Sequence, residues 1–292
     1  MSTTCEAVQT PNTLWNFCPS FGAACAFAVF FALAFAAHVA QGIYNRKIYT
    51  WVLCMGALWQ TIAYCFRIVS IKTPASLGDY AAWFVLILGA PLWTNAFVYM
   101  VVGRMVWNFV PNAKVLGLAA WRFSLCFITF DIVCFIIQVY GAASAEQGNN
   151  TVAQTLQGLH IYMAGVGLQQ LFILVFTAFT VQLHRSLLRA QVLDTQPRKN
   201  VLQLIYVVYA VLFLITLRII FRLCEYSKGL NSTVPNHEVY QYTLDSLPML
   251  FAYVLLSTIH PGRVMSGSDS EIPSRKERKR TGTRCKRSLI HS

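Results

Sequence analysis

The chain has 292 residues, of which 56% are hydrophobic and 12% are charged, and its mean hydropathy is +0.52. Apolar residues come in long runs, a pattern that excludes a soluble globular domain and is typical of a multi-span membrane protein. The net charge of +12 does not indicate a nucleic-acid partner, because most Lys and Arg residues lie in segments predicted to face one side of a membrane.

The N-terminal segment has no feature of a cleavable signal peptide. Residues 1–19 contain no Lys or Arg, so the positively charged start of such a signal is missing. We therefore expect residues 1–19 to form an extracellular N-terminus, in which Cys5 and Cys18 could pair. Most other cysteines lie inside apolar runs, where they are expected to act as small hydrophobic residues.

Seven apolar segments follow, and each is long enough to cross a bilayer as a helix of about 20 residues. The predicted spans are residues 20–43, 48–70, 80–104, 118–141, 158–183, 201–223 and 240–260. The predicted fold class is therefore an all-α integral membrane protein whose seven transmembrane helices occupy residues 20–262.

The basic residues of the loops predict the direction in which these helices cross the membrane. Lys and Arg are concentrated in the first, third and fifth loops and after the last span, whereas the other loops contain only Lys72 and Lys228. Because positive residues favour the cytoplasmic side, the N-terminus is predicted to lie outside and the C-terminus in the cytoplasm. Sequons begin at Asn149 and Asn231, in loops that the same rule places outside, so both are predicted glycosylation sites.

Residues 263–292 are rich in Ser, Lys and Arg and contain few apolar residues, a composition typical of a disordered segment. We expect a disordered basic cytoplasmic tail. It could act only as a topology anchor. Alternatively, it could bind anionic lipids of the inner leaflet and be released by phosphorylation.

Charged residues occur inside the spans at helical spacing. Arg218, Arg222 and Glu225 stand at i, i+4 and i+7, on one face of span 6, and Glu238 and Asp245 share one face at the start of span 7. A charge at the bilayer centre costs roughly 2.5–3.5 kcal/mol. Several charges facing lipid would cost about 10 kcal/mol, which is comparable with the net stability of a whole fold. These side chains are therefore predicted to face inward and to find partners.

Together these residues predict one polar cluster that opens toward the outer leaflet. Its predicted members are Arg67, Gln138, Arg218, Arg222, Glu225, Glu238 and Asp245, with Asn95, Asp131, Gln169 and Gln170 extending the cluster toward the midplane. The cluster could be an ion-pair lock between spans 6 and 7, whose breaking would cost about 3–5 kcal/mol. It could also be a ligand site, and both functions are compatible.

Several classes of seven-span protein do not fit the sequence. Residues 240–260 contain no Lys for a retinal Schiff base, and span 3 ends without an Asp-Arg-Tyr motif. The histidines are split between the two predicted sides, and neither a zinc-ligand spacing nor a Walker loop is present. We therefore expect no catalytic residue, no metal site and no cofactor, and we do not expect an enzyme.

A series of short motifs connects the chain with a known family. The strongest block is Arg218-x-x-x-Arg222-x-x-Glu225, followed by Gly229, His237-Glu238, Tyr242, Asp245 and His260-Pro261-Gly262. Further matching pieces are Pro19-Ser20, Ala90-Pro91, Tyr99, Asp131, Gln138, Gly141 and Gly167-Leu168 with Gln169 or Gln170. In these motifs and their order, residues 17–262 resemble the fungal RTA-like proteins, which are seven-span lipid-translocating exporters.

The resemblance implies a plasma-membrane protein that exports or flips sphingoid long-chain bases and confers resistance to toxic amphiphiles, with porphyrin or haem traffic in some members. In our leading interpretation, Glu238, Asp245 and Asp131 pair with the ammonium head of a cationic amphiphile, and Arg218 and Arg222 hold the acids when the site is empty. The alternative is a seven-helix sensor that binds an amphiphile or porphyrin and acts without transport. The expected partners are an amphiphilic lipid substrate and membrane lipids, and the sequence does not indicate an oligomeric state.

Overall fold

The computed structural model describes residues 5–110, 114–115, 118–146, 151–189, 195–227, 236–265 and 272. Within these residues, seven helices are long and apolar enough to cross a membrane, which confirms the predicted fold class. These candidate spans are Phe21–Asn45, Thr50–Lys72, Leu77–Phe109, Ser124–Ala145, Val152–Arg189, Lys199–Tyr226 and Glu238–Val264. The orientation of the two termini stays a prediction.

The helices are numbered in chain order and separated by short connections. They are α1 Glu6–Gln9, α2 Phe21–Asn45, α3 Thr50–Lys72, α4 Leu77–Phe109, α5 Ala120–Ala145, α6 Val152–Arg189, α7 Thr195–Tyr226, α8 Glu238–Tyr240, α9 Leu247–Thr258 and α10 Pro261–Val264. Two short strands, β1 Lys114–Val115 and β2 Leu118–Ala119, pair antiparallel between α4 and α5. The seventh span consists of α8, a π-helical turn at Gln241–Ser246, α9 and α10.

Each candidate span overlaps one predicted segment, and the longest one exceeds its prediction most clearly. Helix α6 has 38 residues, whereas the apolar run predicted only 158–183. The predicted start of the tail, residue 263, falls inside α10. Residues 266–292, apart from Ile272, and the predicted glycosylation sites Asn149 and Asn231 lie outside the described residues. Tail disorder and glycosylation therefore stay predictions.

Local sequence signals explain where the helices begin and where the seventh span is interrupted. The hydroxyl of Ser20 accepts the Ala23 N–H at the start of α2, and the hydroxyl of Ser76 accepts the Asp79 N–H at the start of α4. Both serines thereby satisfy a backbone donor that the helix leaves unpaired. Pro248 follows the π-helical turn and lies in the first turn of α9, where its missing N–H is tolerated.

Sequence neighbours pack side by side from α2 to α7, and α9 packs against both α2 and α7, which closes the bundle. The α5–α6 pair is especially close. A Cβ atom added at Gly141 would lie 2.4 Å from the Tyr162 backbone nitrogen, and one at Gly158 would lie 2.5 Å from the Ala145 nitrogen. Small residues let membrane helices approach closely, so these glycines account for the tight contact between α5 and α6.

The N-terminal segment, Cys5–Ser20, folds back onto the bundle. Cys5 and Cys18 form a disulfide, as the sequence allowed. The buried indole of Trp15 donates a hydrogen bond to the Ser70 carbonyl at 3.1 Å and stacks on Trp83 with ring centroids 5.3 Å apart. The segment is therefore fixed over the end of the bundle where α3 ends and α4 begins.

Large apolar side chains cover the outside of the bundle. Leu33 on α2, Ile136 on α5 and Phe213 on α7 are each at least 60% exposed. Such a surface suits contact with lipid tails, and it leaves the bundle interior for the charged side chains of the spans.

Candidate functional site

The charged residues of α7 meet the seventh span in the bundle interior. The Arg222 guanidinium donates to both carboxylate oxygens of Asp245, with Nη2 2.5 Å from Oδ2 and Nε 3.3 Å from Oδ1. Its Nη1 also donates to Oε2 of Glu225, one turn further along α7, at 3.0 Å. The bidentate geometry makes the Arg222–Asp245 pair a strong link between α7 and the π-helical turn.

Arg218 adds a third helix to this arrangement. Its Nε lies 2.7 Å from Asp245 Oδ1, as an ion pair without aligned hydrogen-bond geometry, and its Nη2 donates to the Ile87 carbonyl of α4 at 3.3 Å. Ile87 stands four residues before Pro91, which has no N–H to donate to that carbonyl. Pro91 thus frees a backbone acceptor inside α4, and Arg218 uses it.

A second set of contacts extends the arrangement to α3. Arg67 donates to Glu238 Oε1 at 2.8 Å and to Gln241 Oε1 at 3.1 Å. The amide nitrogen of Gln241 donates to Glu225 Oε1 at 3.3 Å, which joins the two sets. The other oxygen of Glu238 accepts the backbone N–H of Ser20 at 2.7 Å. We call the resulting chain of contacts the charge network. Its members are Arg67, Arg218, Arg222, Glu225, Glu238, Gln241 and Asp245.

The charge network is buried and its formal charges cancel. Three arginines face three acids, and every arginine has a carboxylate oxygen within 3.0 Å. Asp245 is 1% exposed and Glu225 is fully buried, whereas the Glu238 side chain keeps 11% of its surface. Glu238 is therefore the acid of the network that is most accessible from outside.

Aromatic rings surround the Arg67 guanidinium. Its central carbon lies 4.5 Å from the ring centre of Trp83 and 5.1 Å from those of Trp15 and Tyr242. Cation–π contacts of this kind are worth about 0.5–2 kcal/mol each, depending on solvation. Arg67 is consequently stabilised by more than its ion pair with Glu238.

An open pocket lies directly against Glu238. Its volume is about 440 Å³, and it is lined by Phe17, Cys18, Asn236, His237, Glu238, Val239 and Tyr240. The apolar Val239 and Tyr240 are exposed beside it. The pocket therefore combines one carboxylate with a wall that is apolar on one part and polar, at Asn236 and His237, on another, at the end of the bundle that carries the N-terminal segment.

Two further polar groups are separate from the charge network. Asp131 on α5 accepts hydrogen bonds from Asn95 Nδ2 and from the Tyr99 hydroxyl of α4, each at 2.9 Å. Gln138 on α5 donates to Gln169 of α6 at 3.0 Å. Within the described part of the chain, no hydrogen bond or ion pair connects these groups with the network. The single predicted cluster is thus resolved into three groups.

Comparison with known proteins identifies the family. Residues 53–268 match the model of the family described as RTA1 like protein. The chain belongs to the RTA1-like family.

The relatives of this RTA1-like chain carry names that refer to lipids and porphyrins. It is 38% identical to the "Probable lipid transporter atnI" of Emericella nidulans, over 89% of this chain and 70% of that one. It is 21% identical to the "Sphingoid long-chain base transporter RSB1" of Saccharomyces cerevisiae, over 92% of this chain and 78% of that one. It is 28% identical to the "Protoporphyrin uptake protein 1" of Saccharomyces cerevisiae, over 69% of this chain and 65% of that one, which is just under two thirds of the relative. No solved structure matches the chain.

All three polar groups of the RTA1-like chain lie within the matched residues, whereas the N-terminal segment lies before them. Helical spacing identifies the charged members of the network but not Trp15, Trp83, Ser20 and Gln241, which contact them in the structure. The available signal was weak. Trp15 lies in a segment without Lys or Arg and outside the predicted spans, and Gln241 is the one member of the network that carries no charge.

Proposed function

We propose that this membrane protein translocates a cationic amphiphilic lipid of the sphingoid-base class between leaflets, and that Glu238 receives its ammonium head. The observation that carries the proposal is the open pocket of about 440 Å³ whose wall includes Glu238, the most accessible acid of a buried and charge-balanced network. The names of the relatives, a probable lipid transporter and a sphingoid long-chain base transporter, support the same substrate class.

The chemistry of the pocket fits such a molecule at both ends. A sphingoid base has a compact ammonium group, which a carboxylate binds by charge-assisted hydrogen bonds. It also has a long alkyl chain, which gains roughly 25 cal/mol for each Å² of surface removed from water. The exposed Val239 and the neighbouring Tyr240 offer apolar surface next to Glu238, and large exposed apolar side chains cover the outside of the bundle.

The charge network can release Glu238 more easily than Asp245. Among the described residues, Glu238 forms an ion pair with Arg67 alone, and Arg67 keeps its aromatic contacts with Trp15 and Trp83 when that ion pair opens. Asp245 is held by both Arg218 and Arg222. We therefore assign substrate binding to Glu238 and the structural lock between α7 and the seventh span to Asp245.

We further propose that the protein lies in the plasma membrane with its N-terminus outside. The positive-inside distribution of the loops supports this orientation. The Cys5–Cys18 disulfide supports it independently, because disulfides persist in oxidising surroundings such as the cell exterior. In this orientation the pocket opens outward and is the release site of an exporter.

A sensor that acts without transport is the second candidate function, and the hydrogen bonds that lead from Arg67 through Gln241 to Glu225 favour it. An ammonium group at Glu238 would release Arg67, and Gln241 would pass the change to Glu225 on α7. Such a shift could be read by a partner protein even if no lipid crossed the membrane.

Purified protein in liposomes decides between these functions. We expect a fluorescent sphingoid base to move between leaflets in liposomes with the wild-type protein, and Glu238→Gln to reduce the rate at least tenfold. Asp79→Asn is the matched control, because Asp79 is a half-buried acid at the start of α4, outside the network. Saturable binding without movement would favour the sensor, and neither binding nor movement would contradict both functions.

A further inference from the structure

Asp131 is a buried acid in the bundle interior that forms no ion pair within the part of the chain that the structure describes. It is 1% exposed, and its Oδ2 accepts both hydrogen bonds of the group, from Asn95 and Tyr99. Its Oδ1 is buried and has no hydrogen-bond partner among the described residues. Asn95 is also 1% exposed, and its Oδ1 has no hydrogen-bond partner in the described part of the chain either.

Asp131 differs from the other two fully buried acids of the described residues in having no arginine partner. Glu225 and Asp245 each form an ion pair with arginine, but no Lys or Arg of the described residues forms one with Asp131. A buried carboxylate without a cation is strongly disfavoured, and buried acids of this kind are neutral unless a cation is present. A proton on Oδ1 would remove the charge and leave both existing hydrogen bonds to Oδ2 in place.

We infer that Asp131, together with Asn95 and Tyr99, is a proton-binding site. The number of oxygen atoms without a hydrogen-bond partner in this group favours a proton over a metal ion as the bound species. Hard cations such as Ca²⁺ take six or more oxygen ligands, whereas only the Oδ1 atoms of Asp131 and Asn95 lack partners in this group. The aromatic rings of Phe127 and Phe176 pack around Tyr99, so the environment offers little polarity for an ion.

The other titratable side chains near Asp131 come from α4 and from α5 itself. Helix α4 contributes Tyr99, and α5 itself contributes the buried Cys134, within electrostatic range of Asp131. Helix α6 faces this region with the ring of Phe176, which contacts both Tyr99 and Phe127. Tyrosine and cysteine, with ordinary pKa values of about 10 and about 8.5, are neutral at pH 7, so of these groups only the carboxyl group of Asp131 is expected to gain or lose charge there.

This step rests on the proposed function. If the protein moves a cationic lipid, the site at Asp131 supplies a proton that can be exchanged for the ammonium group of the lipid. When an ammonium head arrives from the cytoplasmic side, it can pair with ionised Asp131, and the proton leaves to the cytoplasm. When the lipid departs outward, Asp131 takes up a proton from outside. One ammonium moves out and one proton moves in, so the cycle transfers no net charge.

Infrared difference spectroscopy tests the proton site without requiring transport. At neutral pH we expect the carbonyl stretch of a protonated carboxylic acid in the wild-type protein, and we expect a saturating sphingoid base to remove it. Asp131→Asn should abolish the band, and Asp131→Glu should shift it, which keeps the test valid if the first variant folds poorly. Glu146→Gln, at the exposed end of α5, is the matched control and should leave the band unchanged.

A transport measurement tests the coupling. In liposomes, acid on the side that receives the base should speed its movement severalfold, and a protonophore or Asp131→Asn should remove the acceleration. If the band is absent or a sodium gradient replaces the proton gradient, the inference is wrong even though transport occurs. If the band is present but no base moves under any gradient, the proposed function fails and the proton site stands.

Discussion

Asp245 and Glu238 are both acids of the charge network, but their surroundings give them different tasks. Asp245 is buried and contacts two guanidinium groups, those of Arg218 and Arg222. Glu238 contacts the guanidinium of Arg67, which the aromatic rings also stabilise. Removing the charge of Asp245 therefore weakens the pairing of two buried cations, Arg218 and Arg222, of which Arg222 keeps Glu225, whereas removing that of Glu238 affects Arg67 alone.

We predict that Asp245→Asn destabilises the protein much more than Glu238→Gln. Breaking a buried ion pair by neutralising one partner costs about 3–5 kcal/mol, and the cost at Glu238 should be about 1 kcal/mol because the site is partly exposed and the amide still accepts a hydrogen bond. The measurement is the melting temperature of each purified variant in the same detergent. Equal losses would show that Glu238 belongs to the structural lock.

A charged side chain anywhere in a span is costly when it faces lipid, so charged residues at helical spacing are expected to share the inward face of their helix. Helical spacing thus identifies the charged residues of the site from the sequence. It places Arg218, Arg222 and Glu225 on one face of α7, where the structure also brings them together with Asp245. It does not reveal how far one helix is rotated against the next. For that reason the sequence predicts one cluster, whereas Asp131 forms a group of its own with α4.

At the scale of elements, two prolines shape the helices that carry the network. Pro91 leaves the Ile87 carbonyl of α4 for Arg218, and Pro248 follows the π-helical turn that holds Asp245. An irregular turn alters which side chains of the span face inward, and such turns are frequent at functional sites. The prolines were visible in the sequence, but the π-helical turn was not, because its six residues carry no compositional signal.

The close α5–α6 contact yields a prediction at this scale. Gly141→Ala should destabilise the bundle by about 1–3 kcal/mol, because the new methyl group would overlap the Tyr162 backbone, which cannot rotate away. Gly22→Ala in α2 is the matched control, since no atom lies within 4 Å of its added Cβ. That variant should be neutral or stabilised by about 0.5–1 kcal/mol. Thermal unfolding of both variants checks the difference, and an unchanged Gly141→Ala would show that α5 and α6 pack more loosely.

For the whole molecule, the N-terminal segment connects the bundle end, the pocket and the charge network. Phe17 and Cys18 line the pocket, Ser20 donates to Glu238, and Trp15 stacks beside Arg67. The sequence predicts only an extracellular segment without Lys or Arg, because contacts between Trp15 and residues more than 50 positions away leave no local pattern. The disulfide closes this segment on itself and limits its motion.

The disulfide should stabilise the N-terminal segment locally. Replacing Cys5 and Cys18 together by Ser removes a loop constraint worth about 3 kcal/mol for a loop of this size. We expect proteolysis within residues 5–20 to become at least tenfold faster. The melting temperature of the bundle should change little, because the loop closed by the disulfide contains only the short helix α1 and none of the spans. Mass spectrometry of the digested protein locates the cleavage. Unchanged proteolysis would indicate that the contacts of Trp15 and Ser20 with the bundle hold the segment without the disulfide.

The orientation of the whole molecule is the remaining prediction, and it determines whether the pocket receives or releases lipid. The basic loops and the disulfide both favour an external N-terminus, so Asn149 and Asn231 should carry glycans and a tag placed after Ser292 should be hidden on intact cells. Substituting Gln for each asparagine should remove one glycan, seen as a stepwise gain in gel mobility, and permeabilising the cells should expose the tag. A tag that is stained on intact cells would place the pocket in the cytoplasm. Glu238 would then be the entry site for the lipid, and an exporter would have to release its substrate at the opposite end of the bundle.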